Sequence, residues 1–108
     1  MDQTTLEGDN LSELRAEYDS KVHAELPELA RAEGGWPIRS DHCFARVVLD
    51  NAFEDEWYDH VDGRPAYKHL SAAELAAAIE IADRMLDGGP QVAAELNERS
   101  LEWRSSTA

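Results

Sequence analysis

Residues 70–90 read LSAAELAAAIEIADRMLDGGP and carry the strongest structural signal in the chain. Ser71 and Glu74 have the spacing of a capping box, in which each side chain satisfies the backbone N–H of the other residue. Leu70 and Leu75 have the spacing of the hydrophobic staple that accompanies such a helix start. Apolar side chains then recur every three or four residues, the period of one buried helix face: Leu75, Ile79, Ala82, Met85 and Leu86. Because Gly88-Gly89-Pro90 is a helix stop, the pattern predicts an amphipathic helix that ends there.

Similar apolar stripes lie on either side of this segment. The first third of the chain has one at helical spacing: Leu11, Leu14, Tyr18, Val22, Leu26 and Leu29. Asn10 and Glu13 have the spacing of an N-cap pair at its start, and Gly34-Gly35 marks its end. Pro27 either kinks one long helix or starts a second one at its first turn. A last helix, from about residue 91 to residue 103, is predicted by a further stripe: Val92, Leu96, Ser100 and Trp103.

Residues 43–50 can be interpreted in two ways. Ser40 has the position of an N-cap for a helix that holds Phe44 and Ala52, whereas the run Val47-Val48-Leu49 is also typical of a strand. The apolar spacing is closer to three or four than to two, so a helix is favoured and a strand is the alternative. The sequence therefore predicts an all-α fold, a small helical bundle or array of four to five helices. It also predicts a mobile acidic tail over 1–9, a single helical domain over 10–104 and a tail over 105–108.

The composition is strongly acidic. The 108 residues include 23 Asp and Glu against 10 Lys and Arg, a net charge of −13. Direct nucleic-acid binding is not expected, because it depends on basic residues that displace counterions from phosphates. No apolar run reaches the length of a membrane span, no secretory leader is visible, and Cys43 is the single cysteine. These features predict a cytoplasmic location. The charge itself has three interpretations: adaptation to high salt, a GC-rich genome that favours Arg over Lys, or mimicry of a nucleic acid.

Residues 36–70 are the predicted site of function. This segment holds three of the four histidines and most of the aromatic residues, and it has the least negative charge. We expect it to be a binding surface for a protein partner or a second copy of the chain, with no cofactor, metal or membrane contact. Aromatic and Arg side chains dominate interaction hot spots. The candidate binding residues are Trp36, Arg46, Trp57, Tyr58, Arg64 and Tyr67.

The alternative is an enzyme or a metal-binding protein built on Cys43. A nucleophilic cysteine needs a lowered pKa, and Cys43 lies in the first turn after the candidate N-cap Ser40, where the helix dipole favours a thiolate. His60 or His69 would act as the base, because His42 is the sequence neighbour of Cys43 and points in another direction on a helix. A zinc site is weakly indicated, since no Cys-x-x-Cys or His-x-x-x-His pair is present to anchor it.

The same segment also contains a pattern composed of His42-Cys43-Phe44, Arg46-Val47, Leu49-Asp50, Trp57 and Arg64-Pro65-Ala66. This pattern resembles an uncharacterised group of short bacterial and archaeal proteins, over roughly residues 34–104. The resemblance implies an independent domain. Since the group has no established activity, it implies no catalytic residue, cofactor or partner.

Overall fold

The computed structural model describes residues 3–61, 63 and 66–106, and every regular element among them is helical. The α-helices are α1 (Gln3–Ser20), α2 (Leu26–Glu33), α3 (Asp41–Phe53), α4 (Ala72–Gly88) and α5 (Pro90–Ser106). A π-helical segment, Lys21–Glu25, joins α1 to α2, and two 3₁₀-helices, Trp57–Asp59 and Ala66–His69, lie between α3 and α4. The prediction of an all-α fold is confirmed. Residues 43–50 lie within α3, so they form a helix and not a strand.

Pro27 lies in the first turn of α2 without interrupting the helical path. A proline has no backbone N–H, and its ring crowds the carbonyl four residues earlier. The π-helical segment accommodates it: the Leu26 N–H bonds to the carbonyl of Lys21, and Glu25 and Leu26 keep right-handed helical backbone angles. The structure therefore combines the two predicted outcomes. Pro27 lies in the first turn of a second helix, α2, and the π-helical segment joins α2 to α1 as one continuous helical path.

The predicted start and stop of α4 are confirmed. Ser71 Oγ accepts a hydrogen bond from the Glu74 N–H at 3.1 Å, and the Ser71 N–H donates to Glu74 Oε1 at 2.8 Å. Leu70 and Leu75 are both buried beside this capping box. α4 ends at Gly88, and Gly89 follows with a φ of +76°, a conformation that glycine adopts without steric cost.

The first helix begins earlier than the sequence predicts. α1 begins at Gln3, so Asn10 lies inside the helix and is not its cap. Once the apolar stripe after Asn10 has nucleated a helix, extension toward the N-terminus adds a backbone hydrogen bond per residue without a new nucleation step. At the other end of the chain, α5 runs to Ser106. The division into tails over 1–9 and 105–108 and a domain over 10–104 stays a prediction.

The hydrophobic core surrounds α3, which packs against α2, α4, α5, the π-helical segment and the 3₁₀-helix Trp57–Asp59. Its largest buried apolar side chains are Tyr18, Leu26, Phe44, Leu49, Leu75 and Met85. In the described part of the chain, no helix has the length and hydropathy needed to cross a membrane. Among the residues whose burial is described, the polar ones buried with this core are Asp50, Asn51 and Ser100.

Candidate functional site

A carboxylate lies buried between α3 and α5. The Asp50 side chain is 0% exposed, and a charge in such a place is costly unless it is paired and hydrogen-bonded. Its Oδ2 accepts from Ser100 Oγ at 2.6 Å and from Arg104 Nε at 2.7 Å, and its Oδ1 accepts from Arg104 Nη2 at 3.2 Å. The Trp57 backbone N–H also donates to Oδ1, at 3.1 Å. Asp50 therefore ties α3 both to α5 and to the 3₁₀-helix that begins at Trp57.

Further polar contacts extend this network along the α3–α5 interface. Arg46 donates to Ser100 Oγ at 2.7 Å and to Asn97 Oδ1 at 2.8 Å. The Asn51 side-chain amide donates to one backbone carbonyl of its own helix and one of α5, at 2.8 and 3.0 Å. The guanidinium of Arg46, a predicted binding residue, is thus engaged inside the molecule. These contacts fix the register of the two helices, because each donor reaches a specific acceptor across the interface.

Arg104 also holds an exposed tyrosine. Its guanidinium carbon lies 4.8 Å from the centroid of the Tyr58 ring, and its Nη1 donates to the Tyr58 hydroxyl at 3.3 Å. The hydrogen bond to Asp50 raises the pKa of Arg104 and outweighs the opposing effect of partial burial, so the side chain stays cationic. Tyr58 is 47% exposed and Leu101, which precedes Arg104 by about one helical turn, is 48% exposed. Within the described residues these two are the large hydrophobic side chains that face solvent. We refer to Tyr58, Leu101 and Arg104 as the Tyr58 patch.

Trp57, the neighbour of Tyr58, lines a pocket of about 210 Å³. The Tyr18 and Tyr67 rings stack with their centroids 5.5 Å apart, and the His23 ring lies 5.9 and 6.2 Å from theirs. Burial is the main cause that raises the pKa of Tyr18, so its hydroxyl stays protonated. We call this cavity the aromatic pocket; its lining residues are Tyr18, His23, His42, Ala45, Leu49, Trp57, Ala66 and Tyr67.

The structure places Cys43 and His60, two residues of the alternative catalytic hypothesis, at opposite ends of α3. Cys43 is half-buried in the first turn of α3 and packs against the hydrophobic core. His60 stacks on Phe53 at the opposite end of α3, with ring centroids 4.9 Å apart, and its Nε2 lies 3.3 Å from Asp55 Oδ2. His69 is exposed, and its ring lies against Gly63. The described residues contain no group of three or more His, Cys, Asp or Glu side chains that could hold a metal ion.

The predicted binding residues fall into separate environments. Trp36 is only 7% exposed; its Nε1 donates to Glu33 at 2.9 Å and its ring packs edge-on against Phe44, so little of it can contact a partner. Trp57 and Tyr67 come together in the aromatic pocket, whereas Tyr58 lies on the Tyr58 patch. Arg64 lies outside the described residues.

Sequence reasoning missed the residues that organise this region. Asp50 was noted only as part of the family resemblance. It follows Val47 by three residues, however, and Asn51 follows Val47 by four. Both polar residues therefore lie on the buried stripe of α3, a signal for an internal polar network. Ser100 is correctly placed on the buried face of the last helix. Arg104 has no comparable signal, because one more arginine near the end of an amphipathic helix is typical of a solvated position.

No protein-family model, curated protein or solved structure matches the chain.

Proposed function

We propose that this protein is an acidic binding module of the cytoplasm that recognises a protein partner through the Tyr58 patch. The observation that carries the proposal is the layered contact from Asp50 to Arg104 to Tyr58. A fully buried carboxylate fixes the guanidinium, and the guanidinium fixes a tyrosine ring that is 47% exposed. Tyrosine and arginine are over-represented among the residues that dominate binding energies. Because both side chains are held in place before binding, the entropy lost on association is smaller.

The charge of the molecule indicates the chemistry of the partner. The exposed residues around Leu101 include Glu98 and Glu102, and the whole chain carries −13. We therefore expect the partner to present a basic surface around an apolar cleft that receives Tyr58 and Leu101. Complementary charge speeds the encounter, whereas the aromatic contact determines how long the complex lasts. A second copy of the chain is a poorer partner, because two strongly acidic surfaces repel each other.

The Tyr58 patch retains part of the predicted surface and extends it. Tyr58 belongs to residues 36–70, while Leu101 and Arg104 come from α5, which reaches this segment through Asp50. Two of the other predicted residues, Trp57 and Arg46, have supporting positions in this proposal. Trp57 anchors the 3₁₀-helix through its backbone N–H, and Arg46 supports α5 through Ser100.

The test compares variants in a quantitative affinity capture. Immobilised wild type, Tyr58→Ala and Leu101→Ala are incubated with the same lysate of the source organism, and the retained proteins are quantified by mass spectrometry. Glu80→Ala, an exposed change on α4, is the matched control. We expect wild type and Glu80→Ala to retain a set of basic proteins that both patch variants lose. For a residue that contributes ~2 kcal/mol to binding, the affinity should fall by about 30-fold.

Circular dichroism of each variant controls for loss of fold. The proposal fails if both patch variants are folded and retain the same basic proteins as wild type. Sedimentation of the purified chain tests self-association directly. A stable dimer that Tyr58→Ala dissociates would identify a second copy as the occupant and contradict the basic partner.

A further inference from the structure

The aromatic pocket is a built cavity that the proposed function does not use. One wall is a group of three rings in mutual contact: Tyr18 and Tyr67 stack 17° from parallel, and His23 packs on them with tilts of 63° and 52°. Trp57 adds a fourth aromatic ring to the lining. The floor is rigid, because Tyr18 and Leu49 are almost completely buried. A cation within about 6 Å of the face of an aromatic ring is attracted by the ring quadrupole, most strongly for Trp.

The charges around the pocket also favour a cation. Among the described residues, no lysine or arginine lines it. His23 Nδ1 lies 2.9 Å from Asp41 Oδ2, so any positive charge on this imidazole is balanced by a carboxylate at the rim. The net charge of −13 adds a negative potential over the whole molecule, which raises the local concentration of cations and lowers that of anions.

We propose that the aromatic pocket binds a small organic cation of the quaternary ammonium class. The volume of about 210 Å³ is smaller than that of pockets for drug-sized ligands, which begin at about 300 Å³, so the ligand is a compact head group and not a nucleotide or a cofactor. Methyl groups around the nitrogen match the apolar part of the lining. The charge is delocalised over those methyl groups and is stabilised by the electron-rich faces of Tyr67 and Trp57. This inference is independent of the Tyr58 patch.

The decisive experiment separates charge from shape. Choline and its uncharged carbon isostere, in which a tert-butyl group replaces the trimethylammonium group, are titrated into the protein while tryptophan fluorescence is followed. The expected result is saturable binding of choline that is tighter than binding of the isostere by about 5-fold or more, since a partly desolvated cation–π contact contributes ~1–2 kcal/mol. Two results would overturn the proposal: equal affinity for the two compounds, or no saturable binding of choline up to about 10 mM. Even a minimal contact should give a Kd in the millimolar range, so about 10 mM is high enough to detect it.

Two variants test whether the binding site is the aromatic pocket. Tyr67→Leu removes an aromatic face and should weaken choline binding by about 5-fold or more, whereas Tyr67→Phe keeps the ring and should bind choline nearly as wild type does. Phe53→Leu is the matched control, because Phe53 is a half-buried aromatic residue at the far end of α3. If Tyr67→Leu is folded and binds choline as tightly as wild type, the pocket assignment is wrong. If Tyr67→Leu unfolds, Tyr67→Phe becomes the deciding variant, and a loss of choline binding in folded Tyr67→Phe would contradict the proposal.

Discussion

Replacing Asp50 by asparagine should destabilise the protein strongly although the two side chains have nearly the same shape. The carboxylate accepts four hydrogen bonds: two from Arg104, one from Ser100 and one from the Trp57 backbone. Asparagine offers one acceptor oxygen in place of two, so two of these bonds are lost and an N–H₂ group faces donors. The substitution also leaves the guanidinium of Arg104 without its counter-charge.

The size of the effect follows from the burial of the two partners. Removing one member of a buried ion pair costs about 3–5 kcal/mol, and a hydrogen bond to a charged group contributes about 1.5–3 kcal/mol. Arg104 is 23% exposed, so water can solvate part of the freed guanidinium and the loss falls near the lower limit, about 3 kcal/mol. A domain of this size has about 5–15 kcal/mol of stability in total. The Asp50→Asn variant should therefore stay folded at 25 °C but lose much of its free energy of unfolding.

Urea unfolding followed by far-UV circular dichroism measures this loss. With a slope of about 1.5 kcal/mol per M, a loss of 3 kcal/mol lowers the midpoint by about 2 M. Asp87→Asn is the matched control, because Asp87 is an exposed carboxylate on α4 and its replacement changes the net charge equally. We expect Asp87→Asn to stay within about 0.5 kcal/mol of wild type. If Asp50→Asn loses less than about 1 kcal/mol, Asp50 does not form the central ion pair of the fold.

A double-mutant cycle then assigns the energy to the pair. Arg104→Gln and the double variant with Asp50→Asn should show a coupling energy of about 2 kcal/mol or more, because the two side chains share two direct hydrogen bonds. Additive effects would mean that Asp50 is stabilised by Ser100 and the Trp57 backbone and not by the guanidinium. In that case the guanidinium that holds Tyr58 would not be fixed by Asp50, and the Tyr58 patch would not be rigid.

Three further predictions concern other contacts. Ser71→Ala removes the hydroxyl half of the capping box with Glu74 and should cost about 1 kcal/mol in thermal or urea unfolding, and a cost below about 0.3 kcal/mol would contradict it. Asn51→Ala removes two buried hydrogen bonds and should cost about 2 kcal/mol by the same measurement; an unchanged midpoint would refute this. The hydrogen bond with His23 lowers the pKa of Asp41 below its ordinary value of 3.8, so the contact stabilises the folded state above that pH and this stabilisation is lost as the pH falls through the lowered pKa. The stability difference between wild type and Asp41→Asn should therefore be present at about pH 6 and disappear as the pH falls through the lowered pKa of Asp41, and a difference independent of pH would contradict this.

The elements with local chemical signals were predictable from the sequence. The capping box at Ser71 and the glycine at 89 define both ends of α4 without reference to the rest of the molecule, and both are confirmed. α3 was also predictable as a helix, because its apolar period is helical even though Val47-Val48-Leu49 favours a strand by composition. The strand preference of Val47-Val48-Leu49 was therefore outweighed by the helical spacing, which buries one continuous face of α3.

What the sequence does not reveal depends on which residues meet in space. Asp50 and Arg104 are 54 positions apart in a chain of 108 residues. The apolar stripe of α3 marks Asp50 as buried, but nothing local identifies Arg104 as its partner. The π-helical turn between α1 and α2 was also hidden, because it is selected by packing around Pro27 and has no sequence signature of its own. The aromatic pocket joins Tyr18 and His23 from the first helical run to Trp57 and Tyr67, and only the folded chain brings these together.

The acidity of the chain has opposite consequences for its stability and for its proposed binding. Salt screens the repulsion among exposed carboxylates, since the Debye length falls from about 10 Å at 0.1 M to about 3 Å at 1 M. The Asp50–Arg104 pair is much less affected, because its atoms are 2.7 Å apart and the Asp50 carboxylate is fully buried. If the acidity is an adaptation to high salt, added salt stabilises the fold while the long-range attraction to a basic partner disappears. Association would then depend on the Tyr58 and Leu101 contacts alone, with a slow encounter and little dependence on salt. In dilute salt the same surface would instead be steered by charge, so the association rate with a basic partner should fall as the ionic strength rises.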